Sequence, residues 1–323
     1  MIDPASINRA LVTGGAGFIG SHVVDELLSR GVEVVVFDNF STGRREFLPA
    51  AHTKARVVEG DVLNLPALKA AMDGCDFVFH FQANADVRGG KLNTRVDLEQ
   101  NTIATWNVLE AARERGVKGF CFASSATVYG EPECYPTPET WAPLQTSLYG
   151  ASKYAGEAMI QAYTEYFGMR SFIYRFVSWI GERYTHGIVF DVLKKLRADP
   201  AKLPLLGDGT QRKSYLYVKD GVRGIMLGIE KSSASKNVFN LGHDEGVTVL
   251  EVVGTILDEL GLKDVPLEFA GGKRGWLGDS PIVHLDTQRM KALGWSPETS
   301  IQEGIRRTVR YLVANPALLE ART

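Results

Sequence analysis

The chain has 323 residues, 45% of them hydrophobic and 23% charged, with a formal net charge of -2. That length suits one large or two closely joined domains with a sizeable core, and the balanced charge excludes the basic field that nucleic acid demands. Three cysteines without paired spacing and six histidines without a His-x-x-x-His or Cys-x-x-Cys cluster exclude a disulfide framework and structural zinc, so no metal is expected.

No run of about 18 apolar residues occurs, and the segment from Met1 to Arg9 holds Asp3, Pro4 and Asn8 rather than a basic stretch leading into an apolar one. The expectation is a cytoplasmic protein that meets no membrane. Short apolar runs predict buried strands at 10–13, 32–37, 56–59, 77–81 and 120–123, with amphipathic helices between them. Strand, helix, strand with right-handed crossovers builds a parallel sheet.

Directly after the first strand, Gly14, Gly17 and Gly20 stand at Gly-x-x-Gly-x-x-Gly spacing and open a helix in which Ile19, Val23 and Leu27 recur every four residues, with Gly31 as its stop. Glycine permits the tight turn and the close approach of backbone to a pyrophosphate, whose charge the helix N-terminus favours. Asp38 ends the second strand, where a carboxylate accepts the hydroxyl protons of an adenine-side ribose and repels a 2'-phosphate. This favours NAD over NADP, although Arg44 and Arg45 follow closely. Asp61, after the third strand, fits an adenine contact or a simple turn residue equally well.

Tyr149-Gly-Ala-Ser-Lys153 sets a phenol and an ammonium four residues apart, on one face of a predicted helix that follows Ser124-Ser125-Ala126-Thr127 at a strand end. A tyrosine with an ordinary pKa of about 10 needs roughly 4 kcal/mol of preferential phenolate stabilisation to act as a base near pH 7, which Lys153 and a positive nicotinamide supply in a dry cleft. Ser125 fits either a hydroxyl that orients the reacting group or a strand-end cap. The same spacing recurs at Tyr215 and Lys219, but in a strand-like segment at 214–218 that would hold the two side chains roughly 13 Å apart, so that pair reads as structural.

After Arg175 the rhythm changes to turn-rich pieces at 206–211 and 271–278, short strands, and helices near 249–260 and 301–312. This half reads as a substrate-side domain packed directly on the first.

Taken together, the glycine motif, Asp38-Asn39, Asp61-Val62, Ser124 through Gly130 and Tyr149 through Lys153 resemble the extended short-chain dehydrogenase/reductase family, especially its NAD-dependent, UDP-glucose 4-epimerase-like sugar epimerases. Downstream, Gly207-Asp-Gly-Thr-Gln211, Tyr217-Val-Lys-Asp220, Asn240-Leu-Gly242 and Leu293-Gly-Trp-Ser-Pro297 are similar to that family as well. The resemblance implies an α/β fold: a seven-stranded Rossmann-type doubly wound parallel sheet over 1–175, and a smaller α/β substrate domain over 176–323 from which segments near 215–242 return to the sheet. It further implies a homodimer through the helices at 101–115 and 151–167, and a nucleotide-sugar substrate, a UDP-sugar before others.

Position by position, the resemblance makes Tyr149 the base, Lys153 its partner and Ser125 the hydroxyl that orients the sugar. Carbon 4 is oxidised to a transient ketone and reduced on its other face, so NAD is recycled in place. NAD contacts are implied for Gly14, Gly17, Phe18, Ile19, Asp38, Asn39, Ser41, Gly43, Asp61, Val62, Phe81, Gln82 and Asn101, with Tyr149 and Lys153. Substrate contacts are implied for Ser125, Thr127, Ser178, Lys213, Tyr215, Arg274 and Asp279. Arg88 fits a sugar carboxylate or an exposed helix start, and His186 a substrate contact or a packing role.

Ala126-Thr127 stand where the family's dehydratases carry an Asp-Glu pair, which argues against dehydration. The chain also departs from the family pattern. Gln82 replaces Ala, Ser178 replaces Asn, and Lys213 stands where an Arg grips the pyrophosphate, supplying charge without the bidentate fork. Arg274-Gly-Trp-Leu-Gly-Asp279 is a stretched form of the usual Arg-x-Gly-Asp, and the small Val283 leaves room for a substituted hexose.

Overall fold

A computed structural model describes residues 7–48, 54–276 and 278–320. Its centre is a seven-stranded sheet with every strand pair parallel. The strands are β1 (Arg9–Thr13), β2 (Glu33–Asp38), β3 (Ala55–Glu59), β4 (Phe77–His80), β5 (Gly119–Ser125), β6 (Arg170–Phe176) and, at the far edge, Lys236–Leu241. They lie in the order edge strand, β6, β5, β4, β1, β2, β3. The direction of winding reverses between β1 and β4, and a crevice opens there beyond the carboxyl ends of the strands. This is the expected Rossmann-type α/β architecture.

Alternation along each strand divides the core between the two faces. Ala10 and Val12, Val34 and Val36, and Phe77 and Phe79 pack on one side. Leu11, Val35 and Phe37, and Val78 pack on the other. Helices α1 (Phe18–Ser29) and α2 (Leu65–Ala71) follow β1 and β3. A short α3 (Thr94–Asp97) runs into a π-helical stretch, Leu98–Ile103, before α4 (Ala104–Glu114), so the continuous α-helix expected over 101–115 is interrupted near its start. Next come α5 (Leu148–Phe167) after β5, then α6 (Ile188–Ala198) and α7 (Val218–Lys231). Helix α7 packs on α1, and α2, α4 and α5 pack together.

The strand expected over 214–218 ends at Tyr217, and α7 begins at Val218. Tyr215 is buried in its strand while Lys219 points to solvent from the first turn of the helix, so these two do not form a second catalytic pair. Among the described residues the smaller half carries three little sheets. The largest pairs Arg212–Lys213 with Val247–Thr248 and Ile282–Val283; the helix Val249–Glu259 packs beside it, and the helix Ile301–Ala314 packs on that helix. Among the described residues no helix is long and apolar enough to cross a membrane.

Candidate active site

The glycine loop fills the turn from β1 to α1. Gly14 adopts φ +67°, and a Cβ there would lie 2.6 Å from the backbone nitrogen of Gln82. A Cβ on Gly20 would land on the Gly14 carbonyl. Gly17 is the N-cap of α1, with no side-chain cap and no acidic residue in the first turn, so the amides and positive dipole end stand ready for an anion. Asp38 sits beside this loop. It is buried, its two oxygens accept from the amides of Ala16 (2.9 Å) and Phe40 (2.8 Å), and burial raises its pKa. Asn39 accepts from the Ser41 amide (3.0 Å), and a Cβ on Gly43 would press on the Asp38 carboxylate at 2.8 Å.

Arg44 and Arg45 are engaged by Glu46 and Glu59. Asp61 accepts from the Leu63 amide (2.9 Å), the turn role that its sequence context allowed, and buried Val62 gives its carbonyl to Asn107 (2.9 Å). Phe81 and Gln82 continue β4 across the loop, and the Gln82 side chain donates to Gln100 (3.0 Å) while its own oxygen is buried without a partner. An uncapped helix start, a cradle that side chains would fill and a carboxylate at the second strand's end all fit a dinucleotide.

Ser147 caps α5 by accepting from the Gly150 amide (3.0 Å), which places Tyr149 in the first turn and Lys153 one turn on. Ser125, at the end of β5, hydrogen-bonds the Tyr149 phenol and accepts from the Thr127 amide (3.2 Å) and hydroxyl (3.0 Å). The Thr127 amide bond is the strand-end cap that the sequence allowed for Ser125. Lys153 is 2% exposed; its Nζ donates to the Ala123 carbonyl (2.9 Å) and lies 5.9 Å from the Tyr149 ring centre.

Lys153 by itself, without the positive nicotinamide that the sequence reading set beside it, does not draw the phenol down to neutrality. Burial pushes Tyr149 up to about 12, outweighing the Ser125 hydrogen bond. Burial likewise brings Lys153 down to about 7, against the attraction of Asp97 and Glu157.

Behind this pair lies a buried polar layer of which motif reading named Asn101 alone, as an NAD contact. Asn101 accepts from the Asn84 amide (2.8 Å) and donates to Asp97 (3.2 Å) and Ser152 (2.9 Å). Glu157 pairs with Arg175 at 2.7 Å and accepts from Ser124. His80 bridges the Thr13 and Thr105 hydroxyls, and burial drives its pKa down to about 3, so it stays neutral. The available signal was the spacing from Asp97 to Asn101 and from Lys153 to Glu157, one helical turn in each case.

On the substrate side, Lys213 pairs with buried Asp279 (2.6 Å), whose second oxygen accepts from the Gly275 amide (3.0 Å). Arg274 pairs with Glu131 at the rim (2.7 Å). Trp276, unmarked in the sequence, stands between two cations, 4.9 Å from Lys213 and 6.0 Å from Arg88, with its indole nitrogen buried and unbonded. The loop holding Arg274 and Trp276 is fastened across the cleft by Ser280 to the Gly130 carbonyl (2.7 Å) and by Thr146 to Gly278 (3.4 Å). Leu277, inside the stretched motif, lies outside the described residues.

Ser178 is exposed opposite buried Tyr215, whose phenol burial pushes well above its ordinary range. His186 stacks on Tyr184, which in turn meets Phe18 of α1 edge-on. The structure thus brings Ser125, Thr127, Tyr149 and Lys153 together, and groups Arg88, Lys213, Arg274 and Asp279 around Trp276.

The model of a family described as the NAD dependent epimerase/dehydratase family matches residues 10–242. The UDP-glucose 4-epimerase of Corynebacterium glutamicum is 31% identical over 306 residues, covering 90% of this chain and 91% of that relative. The solved UDP-glucose 4-epimerase of Thermotoga maritima with UDP-glucose superposes with a TM-score of 0.87 at 32% identity, over 95% of this chain and 99% of that one. The Thermus thermophilus UDP-glucose 4-epimerase in complex with NAD gives 0.84 at 34% identity, over 94% and 99%.

Proposed function

Since the chain belongs to the NAD-dependent epimerase/dehydratase family, we propose that it is a 4-epimerase of a nucleoside-diphosphate sugar, a UDP-sugar before others. The observation that carries this reading is the joining of Ser125, Tyr149 and Lys153 at the mouth of the glycine loop, with no carboxylate at Ala126 or Thr127 to run a dehydration.

Gly14, Gly17 and the start of α1 would hold the NAD pyrophosphate, Asp38 its adenine-side ribose, and Asn39, Ser41, Gly43, Asp61, Val62, Phe81, Gln82 and Asn101 its surroundings. When bound, NAD supplies a hydride acceptor and donor and, in its oxidised form, a positive charge beside Tyr149.

In this reading the phenolate oxygen of Tyr149 takes the proton of the sugar 4-hydroxyl as carbon 4 becomes a ketone, and returns it when the opposite configuration forms. Ser125 orients that hydroxyl, with Thr127 tying Ser125 down. Lys153 stabilises the phenolate electrostatically, in a cavity dry enough for a single charge to count. The smaller half, 176–323 in the main, takes the sugar nucleotide, with Lys213 held at the diphosphate by Asp279, and Arg274, Arg88, Ser178, Tyr215 and His186 around it. Exposed Leu98, Ile103, Trp106 and Tyr154 on the 98–114 and α5 helices support a homodimer, which light scattering at micromolar concentration would test against a monomer.

The test is incubation of purified protein, without added cofactor, with UDP-glucose, UDP-N-acetylglucosamine and UDP-glucuronate. The reading expects isomers of unchanged mass, absent with Tyr149→Phe. Loss of one water from the sugar, or no isomer from any nucleotide sugar, would overturn it.

A further inference from the structure

Among the described residues a single buried carboxylate oxygen lacks a hydrogen-bond partner: Oδ2 of Asp97, in a side chain 1% exposed. Its other oxygen accepts from the side-chain amides of Asn84 (2.9 Å) and Asn101 (3.2 Å), and Asn101 also reaches Ser152, the residue before Lys153. The bare oxygen lies against Gly90, which packs on Leu148, the first residue of α5. A Cβ built on Gly90 would lie 2.7 Å from it and 3.5 Å from the Cβ of Leu148, the residue before Tyr149. Immediately after Asp97 the chain enters the π-helical stretch Leu98–Ile103, a rare helix form that is frequent at functional sites.

A carboxylate withdrawn from water and left half-satisfied is costly unless a cation answers it. Among the described residues no ion pair supplies that cation: the groups from which Asp97 accepts are the neutral side-chain amides of Asn84 and Asn101. We propose that Asp97 is a positioning residue, a buried counter-charge that holds Lys153 as the ammonium beside Tyr149. It acts through the low-dielectric interior rather than by contact. The inference rests on Tyr149 and Lys153 being the reactive pair of the proposed function.

The charged and titratable groups facing Lys153 narrow the assignment. From α5 itself come Tyr149 and Glu157, and from β4 comes His80. His80 is neutral, and Glu157 is already matched by Arg175. Asp86, which faces Asp97, lies 3.8 Å from Arg88. Asp97 is the unmatched charge, and it heads the attractions that oppose the fall of the Lys153 pKa on burial.

The test follows the Lys153 resonance by NMR in protein labelled at the lysine ε-carbon, assigned with Lys153→Met. Asp97→Asn is expected to lower its midpoint by about one pH unit or more, and Asp97→Glu to restore most of it. Turnover gives a second readout. Removing a negative charge lowers the pKa of Tyr149 and Lys153 alike, so both limbs of the pH profile should move to lower pH, whereas a merely structural Asp97 would reduce the height and leave the limbs in place.

An unchanged Lys153 midpoint in folded Asp97→Asn overturns the proposal. Should that variant not fold, the wild-type Asp97 carboxyl resonance decides: ionised at neutral pH supports the counter-charge, protonated overturns it. A protein that converts no UDP-sugar would sink the epimerase reading while leaving the Lys153 titration readable.

Discussion

Tyr149 and Lys153 show why the pair is costly to the fold and useful to the chemistry. Ser125 is the one hydrogen-bond partner that lowers the Tyr149 pKa, burial still holds the phenol near 12 in the protein alone, and in the proposed function the charge that would lower it comes with the oxidised cofactor. Tyr149→Phe removes the proton carrier and little else, so turnover should fall by about 10²–10⁴-fold while NAD remains bound, as rate assays and the absorbance of released cofactor would report.

Lys153 carries a stability signature. Between about pH 7 and 10.5 the unfolded chain holds a proton that the folded chain has shed, so stability rises with pH across that window, and the full cost of burying the ammonium falls below about 7. Thermal unfolding of cofactor-free Lys153→Met should therefore start above wild type at neutral pH and lose that advantage as pH rises towards 10.5. A difference that does not vary with pH would refute the assignment.

Among the elements, β5, α5 and β6 are tied by the Arg175–Glu157 pair, with Ser124 completing it from the strand that ends in Ser125. Breaking a buried pair by removing one charge strands the other, so Glu157→Gln should cost about 3–5 kcal/mol, read as a shifted denaturation midpoint. Turnover per folded molecule should change far less.

This layer also marks how far the letters reach. The turn from β1 to α1 and the start of α5 were legible because their chemistry is local: glycines where a Cβ would strike Gln82 or the Gly14 carbonyl, a tyrosine and a lysine four residues apart on one helix face. Asp97 and Glu157 were not, because a carboxylate in a helix looks solvated until the sheet buries it. The Tyr215–Lys219 segment misled for a related reason. Its apolar letters continue from the strand into the buried face of α7, and nothing local marks the change at Val218.

At the scale of the whole molecule, the sheet's reversal between β1 and β4 puts the glycine loop, Asp38 and the start of α5 around one crevice, and the loop holding Trp276 closes it from the smaller half. Two departures in the substrate half meet in one arrangement: Lys213 lies on a tryptophan that the stretched motif introduces, and Arg88 of the first half approaches the same ring. Sequence spacing alone hid this grouping, since its members lie far apart along the chain.

The central claim is that one configuration at carbon 4 is exchanged for its opposite with no net oxidation. The direct measurement is NMR of UDP-glucose carrying deuterium at carbon 4, incubated with the protein in ordinary water. The account predicts the 4-epimer with its deuterium still on carbon 4, and no product with Tyr149→Phe. Deuterium lost to water, or an oxidised sugar accumulating in place of the epimer, would contradict it.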